Sequence, residues 1–278
     1  MSVSRPLTCD DIRSTLGTRH LGHRLAVFTE VASTNQEVMR LAQSGAEHGT
    51  VVVAESQTAG RGRQSRSWFS PPHVNLYTSI LVRPLYLNLS FADWLGWLPL
   101  TTAIAATESI RQVAGVQLAL KWPNDLLLHD RKAGGILCEA GSDQSRQPFV
   151  VIGLGLNVNA RLAGFPAELA QIASSLMEAT GQPVDRNRLL AQFLGDLEDT
   201  LDELATTGPH RLRQVYMTRS ATIGKRVRVS VSPQGEWVGD AFDIGLDGAL
   251  HVRPSGTTPG SSPPFVELRA AEVLHVRE

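Results

Sequence analysis

The sequence predicts an α+β domain joined to a small C-terminal β-barrel, and three observations carry that reading. Within the first 220 residues, β-branched or alternating runs at 50–55 and 74–82 share the chain with stretches of helical periodicity. Leucines recur at helical spacing between Arg188 and Leu204. After about Ala221 the text changes to short apolar strands separated by Gly, Pro and Ser, the pattern of a small barrel. The division is therefore placed at 1–220 and 221–278.

Residues 1–23 are polar and mixed, with one short helix expected near 10–16. Residues 25–28 read as a strand. Thr34 and Glu37 then have capping-box spacing, and Val38, Leu41 and Ala42 form an apolar stripe that Ser44-Gly45 ends. A strand at 50–55 leads into a loop at 56–73 rich in Gly, Arg and Ser, and a strand follows at 74–82. The alanine-rich stretch 98–113 is a helix suited to close packing on a sheet. Short strands are expected at 118–121, 125–128, 135–139 and 149–153, with a hairpin turn at 129–132. Residues 167–218 are mostly helical. The barrel strands fall at 225–231, 236–244, 249–253 and 266–275, and the Pro/Gly/Ser-rich segment 253–264 reads as a mobile loop. No internal repeat interrupts this order.

Composition narrows the function classes. Hydrophobic residues make up 42% and charged residues 19% of the 278, enough to bury a core. Twenty-six basic against 27 acidic residues give a net charge of −1, which argues against a whole-molecule electrostatic grip on nucleic acid. Cys9 and Cys138 lie far apart and cannot form a metal quartet; they fit a reducing, cytoplasmic setting. No apolar run follows the N-terminal positive residues, so no signal peptide is expected. No stretch approaches about 20 apolar residues, so no membrane span is expected.

Three segments have the chemistry of a ligand site. In Glu55-Ser-Gln-Thr-Ala-Gly-Arg-Gly-Arg-Gln-Ser-Arg-Ser-Trp68, Arg61, Arg63 and Arg66 interleave with Gly60 and Gly62. The glycines let the backbone approach a ligand, the guanidinium forks suit phosphate or carboxylate, and Trp68 offers a face for a base. No Gly-Lys-Ser/Thr follows, so this is not a Walker loop. Lys121-Trp-Pro-Asn-Asp125 places a lysine at a strand end, where it can serve a phosphate or an oxyanion, with Asp125 able to hold a metal or a lysine. Gly153-Leu-Gly-Leu-Asn-Val-Asn159 closes a strand with glycines and with Asn157, which can donate and accept on a base edge or a ureido group. Taken singly, each stays open to a plainer reading as a basic surface loop, a Pro-Asn-Asp turn or a strand end. Together they make a nucleotide site. No Ser-His-Asp order, HExxH or Cys/His cluster stands beside them.

In combination these texts resemble the biotin–protein ligases (biotin–[acetyl-CoA-carboxylase] ligases). Ser33-Thr-Asn35, Gln57 with Gly60-Arg-Gly-Arg63, Arg66-x-Trp68, Lys121-Trp-Pro-Asn-Asp125, Arg131-Lys-x-Gly-Gly-Ile-Leu137 and Gly153-x-Gly-x-Asn157 stand in that family's order and spacing, over about residues 25–275 once the barrel is included. The resemblance implies a catalytic domain with a central mixed sheet and an SH3-like barrel. It implies ATP-dependent formation of biotinyl-5′-AMP and transfer of biotin to a lysine of a biotin carboxyl carrier protein, with ATP and biotin as substrates and Mg²⁺ as cofactor. By position, Ser33, Thr34, Asn35 and Gln57 would hold the ureido ring. Arg61, Gly62 and Arg63 would lie over the acyl phosphate, and Lys121 near the biotin carboxyl and the α-phosphate. Gly60 and Arg66 would serve the phosphates, Trp68 and Asn157 the adenine, and Asp125 the acceptor lysine; the metal ligands stay unassigned.

The same resemblance implies the type without an N-terminal DNA-binding module, because only about two dozen residues precede the first strand; no DNA partner is expected, and a homodimer stays open. One departure stands out. Where the family has a residue and then Gly after Gly60-Arg-Gly-Arg63, this chain has Gln64-Ser65. If that position needs positive φ, Ser65 costs on the order of 1 kcal/mol. Two other functions fit parts of the same sequence: a lipoate or octanoate ligase or transferase, and a non-catalytic nucleic-acid-binding protein.

Overall fold

A computed structural model of the protein describes residues 5–84, 88–231, 235–256, 265–269 and 271–276. Seven strands form one mixed sheet: β1 (Arg24–Val31), β2 (Thr50–Gln57), β3 (Leu76–Val82), β4 (Ala119–Lys121), β5 (Asp125–Leu128), β6 (Arg131–Ser142) and β7 (Pro148–Leu156), in the order β1-β2-β3-β7-β6-β5-β4. Only β1 and β2 run parallel, because the helix Thr34–Gln43 crosses between them. All the other neighbours pair antiparallel, and short turns join β4 to β5, β5 to β6 and β6 to β7. At the β5–β6 turn His129 and Asp130 have φ of 49° and 60°, the left-handed pair that a two-residue hairpin demands.

Strand periodicity sorts side chains to two faces. Val51, Val53, Ile80 and Ile152 point into the main core, while Val52, Leu81 and Val151 meet Val38 and Ala42 on the opposite face. In chain order the helices are α1 (Cys9–Arg13), α2 (Thr34–Gln43), α3 (Phe91–Ala114), α4 (Ala167–Ala170), α5 (Leu176–Thr180), α6 (Arg186–Thr207) and α7 (His210–Arg219). α2 covers one face; α3 and α6 pack together over the other.

Two helix expectations change. α3 begins seven residues before the expected 98, capped by the Ser90 hydroxyl accepting from the Asp93 N–H at 3.1 Å. Pro99 inside the helix hid this start, since a proline usually marks a helix beginning or break. The capping box at α2 does not form. Ser33 is the N-cap, Thr34 is already helical, and its hydroxyl lies 3.2 Å from Gln57 Oε1 instead of capping.

Five further strands, β8 (Arg226–Val231), β9 (Gly235–Ile244), β10 (Leu250–Pro254), β11 (Val266–Leu268) and β12 (Glu272–His275), form an antiparallel sheet in the order β11-β10-β9-β8-β12. The expected strand 266–275 is thus two strands on opposite edges. A flat sheet would separate those edges by four strand spacings, about 19 Å, yet the chain from Leu268 to Glu272 reaches about 14 Å at most. The sheet must curl, as in an SH3-like barrel. The loop expected at 253–264 lies largely outside the described residues, which stop at 256 and resume at 265. The small sheet is pinned to the larger unit by Trp97 Nε1 donating to Leu246 O at 2.8 Å and Trp122 Nε1 donating to Gly248 O at 3.2 Å. Among the described residues no helix is long and apolar enough to cross a membrane.

Candidate active site

The C-terminal end of β2, the start of α2 and the middle of β3 bring polar side chains together in the interior. Ser33, Thr34 and Asn35 are each at most 4% exposed. Burial without partners would cost each several kcal/mol, so the cluster is bonded internally. The Thr34 N–H donates to Gln57 Oε1 at 2.9 Å, and Gln57 Nε2 donates to Ser70 Oγ at 3.0 Å. The Ser79 hydroxyl donates to Asn35 Oδ1 at 2.6 Å and lies 2.8 Å from Thr34 Oγ1. Asn35 Nδ2 donates to Glu139 Oε2 at 2.8 Å. Gly153 stands opposite because any Cβ there would collide with the Asn35 amide.

The Gly/Arg segment doubles back on itself. Arg61 and Ser67 form a bridge, and the Gly62 N–H donates to Arg66 O at 2.7 Å. At the tip Gln64 has φ 53° and Ser65 φ 58°, so both non-glycine residues of the family departure are left-handed. From this loop Arg63 Nη1 reaches Asn124 Oδ1 at 3.4 Å. Asn124 in turn donates from Nδ2 to Ile136 O at 2.7 Å and accepts the Ile136 N–H on its own carbonyl at 2.9 Å. Three motifs distant in sequence are thereby bonded into one wall. Arg61 turns instead to the Glu139 carboxylate.

On the β4–β5–β6 hairpins Lys121 pairs across from Asp125, and Asp125 across from Gly135. Asp125 Oδ1 holds the Lys132 ammonium at 2.5 Å. That ammonium also sits 5.5 Å from the centre of the Trp68 ring, within cation–π range. Trp68 lies on β6 and β7 where only glycine leaves room: a Cβ on Gly155 would stand 2.7 Å from its Cε2 and one on Gly135 3.2 Å from its Cζ3. Its indole N–H is buried and meets no acceptor among the described residues. Asn157 is buried, donating from Nδ2 to Ser174 O at 3.0 Å and accepting from Asn75 Nδ2 at 3.4 Å, so most of its amide is engaged by the protein.

All these groups converge. Ser33, Thr34, Asn35, Gln57, Arg61, Gly62, Arg63, Arg66, Trp68, Lys121, Asp125 and Asn157 line one cavity of about 920 Å³, large enough for a small acid joined to a nucleotide. Gly60 does not line it; it lies beneath the loop, with a Cβ position 2.6 Å from Trp68 O. Among the described residues no group of three His, Cys, Asp or Glu is placed to cage a metal.

Residues 27–157 match the biotin/lipoate A/B protein ligase family. The biotin–[acetyl-CoA-carboxylase] ligase of Mycobacterium tuberculosis is 36% identical over 258 residues, covering 91% of this chain and 90% of its own length. The chain belongs to this ligase family. The bifunctional ligase/repressor BirA of Bacillus subtilis is 34% identical over 244 residues, 88% of this chain and 74% of its own. A biotin protein ligase of Aquifex aeolicus, solved in complex with biotin and ATP, superposes with a TM-score of 0.75 over 91% of this chain and all of its own; at 24% identity this speaks for the fold.

For a member of this ligase family the sequence reading missed four features of the cavity. Lys132, within Arg131-Lys-x-Gly-Gly-Ile-Leu137, carries no expected role, although its place two residues before a Gly-Gly pair is an available signal. Asn124 was read as a turn former. Phe165, just before the stretch 167–218 expected to be mostly helical, and Leu169 and Ile172 within it supply an apolar wall, with Phe165 edge-on to Phe69 at 5.3 Å. Lys225 and His275 reach the same cavity from the C-terminal sheet, and no local pattern announces that.

Proposed function

We infer that this chain activates biotin with ATP to biotinyl-5′-AMP, releasing diphosphate, and transfers the biotinyl group to a lysine of a biotin carboxyl carrier protein. The observation that carries the reading is the convergence of Arg63, Lys121 and Lys132 on a cavity that also contains the buried Ser33–Thr34–Asn35–Gln57 cluster. A carboxylate oxygen must attack the α-phosphorus while the bond to the bridging oxygen breaks and its electron pair leaves with diphosphate. Both reactants are anionic, so cations held in a partly dry site lower the repulsion as they meet. Mg²⁺ on the triphosphate would neutralise further charge.

The neutral donors and acceptors of Thr34, Asn35 and Gln57 suit a ureido group, while Ser33 closes the same end. Gly62, Arg63 and Arg66 lie over the phosphates on a loop that shields the mixed anhydride from water, while Arg61, paired with Glu139 beside Asn35, stands at the biotin end of that loop. Lys121 and Lys132 neutralise the reacting phosphate. Asp125 positions Lys132 and stands where it can orient an incoming amine; its bond to Lys132 makes positioning its first task. Trp68 and the Phe165–Ile172 wall take the adenine, with Asn157 shaping its pocket. Residues 1–220 form the catalytic unit and 221–278 the barrel.

A carrier domain incubated with the chain, biotin and ATP gains the mass of one biotinyl group. Diphosphate exchange into ATP depends on biotin and not on lipoate. Exchange driven by lipoate alone would replace this assignment with a lipoate ligase.

A further inference from the structure

The seven-stranded sheet does not complete the cavity by itself. Lys225 and His275 of the C-terminal unit stand in its wall with Lys121. Their placement follows from the junction between the two units. The Ala221 N–H donates to Leu120 O at 2.8 Å, and the Trp122 N–H donates to Thr222 Oγ1 at 3.1 Å, so the connecting segment is bonded to the backbone on both sides of Lys121. Thr222 is fully buried, and its hydroxyl lies 3.2 Å from His275 Nε2. Pairing of β12 on β8 holds the imidazole there, with His275 opposite Val227 and the Val276 N–H donating to Arg226 O at 3.0 Å. One hydroxyl thus separates His275 from the backbone beside Lys121.

The electrostatics of this corner are one-sided. Among the described residues, Lys121 on β4 and Lys225 ahead of β8 face the imidazole, and Asp130 on the β5–β6 turn is the acidic group facing it. Burial, and then the two ammonium groups, hold the imidazole below its ordinary range, so near neutral pH it is uncharged without a ligand.

Sheet order says which part of a ligand arrives here. Gln57 ends β2, near one edge of β1-β2-β3-β7-β6-β5-β4, and Lys121 ends β4 at the other edge. In-line displacement sends the leaving group away from the attacking acid. With the acid anchored at Thr34, Asn35 and Gln57, the diphosphate points toward β4 and the barrel.

We propose that Lys121, Lys225 and His275 form the subsite for the diphosphate end of the nucleotide, and that His275 takes up a proton from solvent when that polyanion binds and returns it when diphosphate leaves. The proposal rests on the ATP-dependent reading of the same cavity. No bond to His275 forms or breaks. The carboxylate oxygen bonds to the α-phosphorus, the bridging oxygen departs with its electron pair on diphosphate, and the imidazolium is a transient counter-charge.

The test is calorimetric titration of the full chain at pH 7 with Mg²⁺ and α,β-methylene-ATP, in two buffers of different ionisation heat. The wild type takes up more protons than His275→Gln. In diphosphate exchange, His275→Gln and Lys225→Met each raise the KM of both ATP and diphosphate by about tenfold, the size of one charge-assisted contact, while biotinyl-5′-AMP, which lacks the outer phosphates, dissociates at an unchanged rate. Equal proton uptake by wild type and His275→Gln, with wild-type exchange intact, overturns the proposal and leaves the ligase reading standing. Slowed transfer from preformed biotinyl-5′-AMP with normal KM for ATP also overturns it, by making His275 the base for the acceptor amine. Absence of biotin-dependent exchange in the wild type removes the ATP-dependent reading, and this subsite with it.

Discussion

Replacing Arg186 by methionine tests how the buried polar frame beneath the site is held. The Arg186 side chain is 0% exposed and Glu55 is 6% exposed. Nη1 donates to Glu55 Oε2 at 2.6 Å and to Asn75 O at 2.9 Å; Nη2 donates to Glu55 Oε1 at 3.2 Å and to Arg5 O at 2.9 Å. Glu55 also accepts the Leu7 N–H at 2.7 Å, so this one pair ties the N-terminal segment to β2 and to the Asn75–Asn157 contact at the cavity floor. Methionine has similar bulk and no charge. It leaves the Glu55 carboxylate buried without its counter-ion, a loss of about 3–5 kcal/mol, or on the order of 10 °C in Tm for a chain of this size. Urea unfolding followed by far-UV circular dichroism measures it, with an unchanged slope confirming that the same transition is compared. Adding Glu55→Leu removes the stranded charge and should recover more than half of the loss. A loss below about 1 kcal/mol for Arg186→Met, or a double variant no better than the single, would refute the assignment of this pair as a fully desolvated unit.

Two further outcomes concern the site. Ser65→Gly relieves a left-handed serine at the loop tip, worth about 1 kcal/mol; if that conformation belongs to the closed loop, biotinyl-5′-AMP dissociates about fivefold more slowly, and stopped-flow fluorescence showing an unchanged or faster rate counts against it. Gly155→Ala puts a Cβ 2.7 Å from Trp68 Cε2 and pushes the indole into the cavity, so KM for ATP rises several-fold while biotin affinity changes little; an unaltered KM in an exchange assay would show that Trp68 does not border the nucleotide.

Much of the fold was legible because its signals are local. The valines of 50–55 alternate between two cores, and the leucines of 188–204 recur at the helical repeat; both patterns depend only on which side of an element faces water. Where two local rules conflicted, the tertiary structure chose. Pro99 argued for a late helix start, yet a capped turn before it is accommodated against the core. Thr34 suited a capping box, but burial beside Gln57 and Ser79 engaged its hydroxyl.

The chemical inventory of the site is already written in the residue order: an arginine–glycine loop, a strand-end lysine, and glycines where large side chains must lie close. Those choices follow from what phosphate, an acid and tight backbone approach each require, and they are written one residue at a time. Which of these groups meet depends on the folded arrangement. That Asp125 holds Lys132, that Arg63 reaches Asn124, and that His275 stands beside Lys121 across 154 positions all follow from strand order and the curl of the C-terminal sheet. Such long-range juxtapositions are set by the summed packing of many residues, and no local stretch of text carries them.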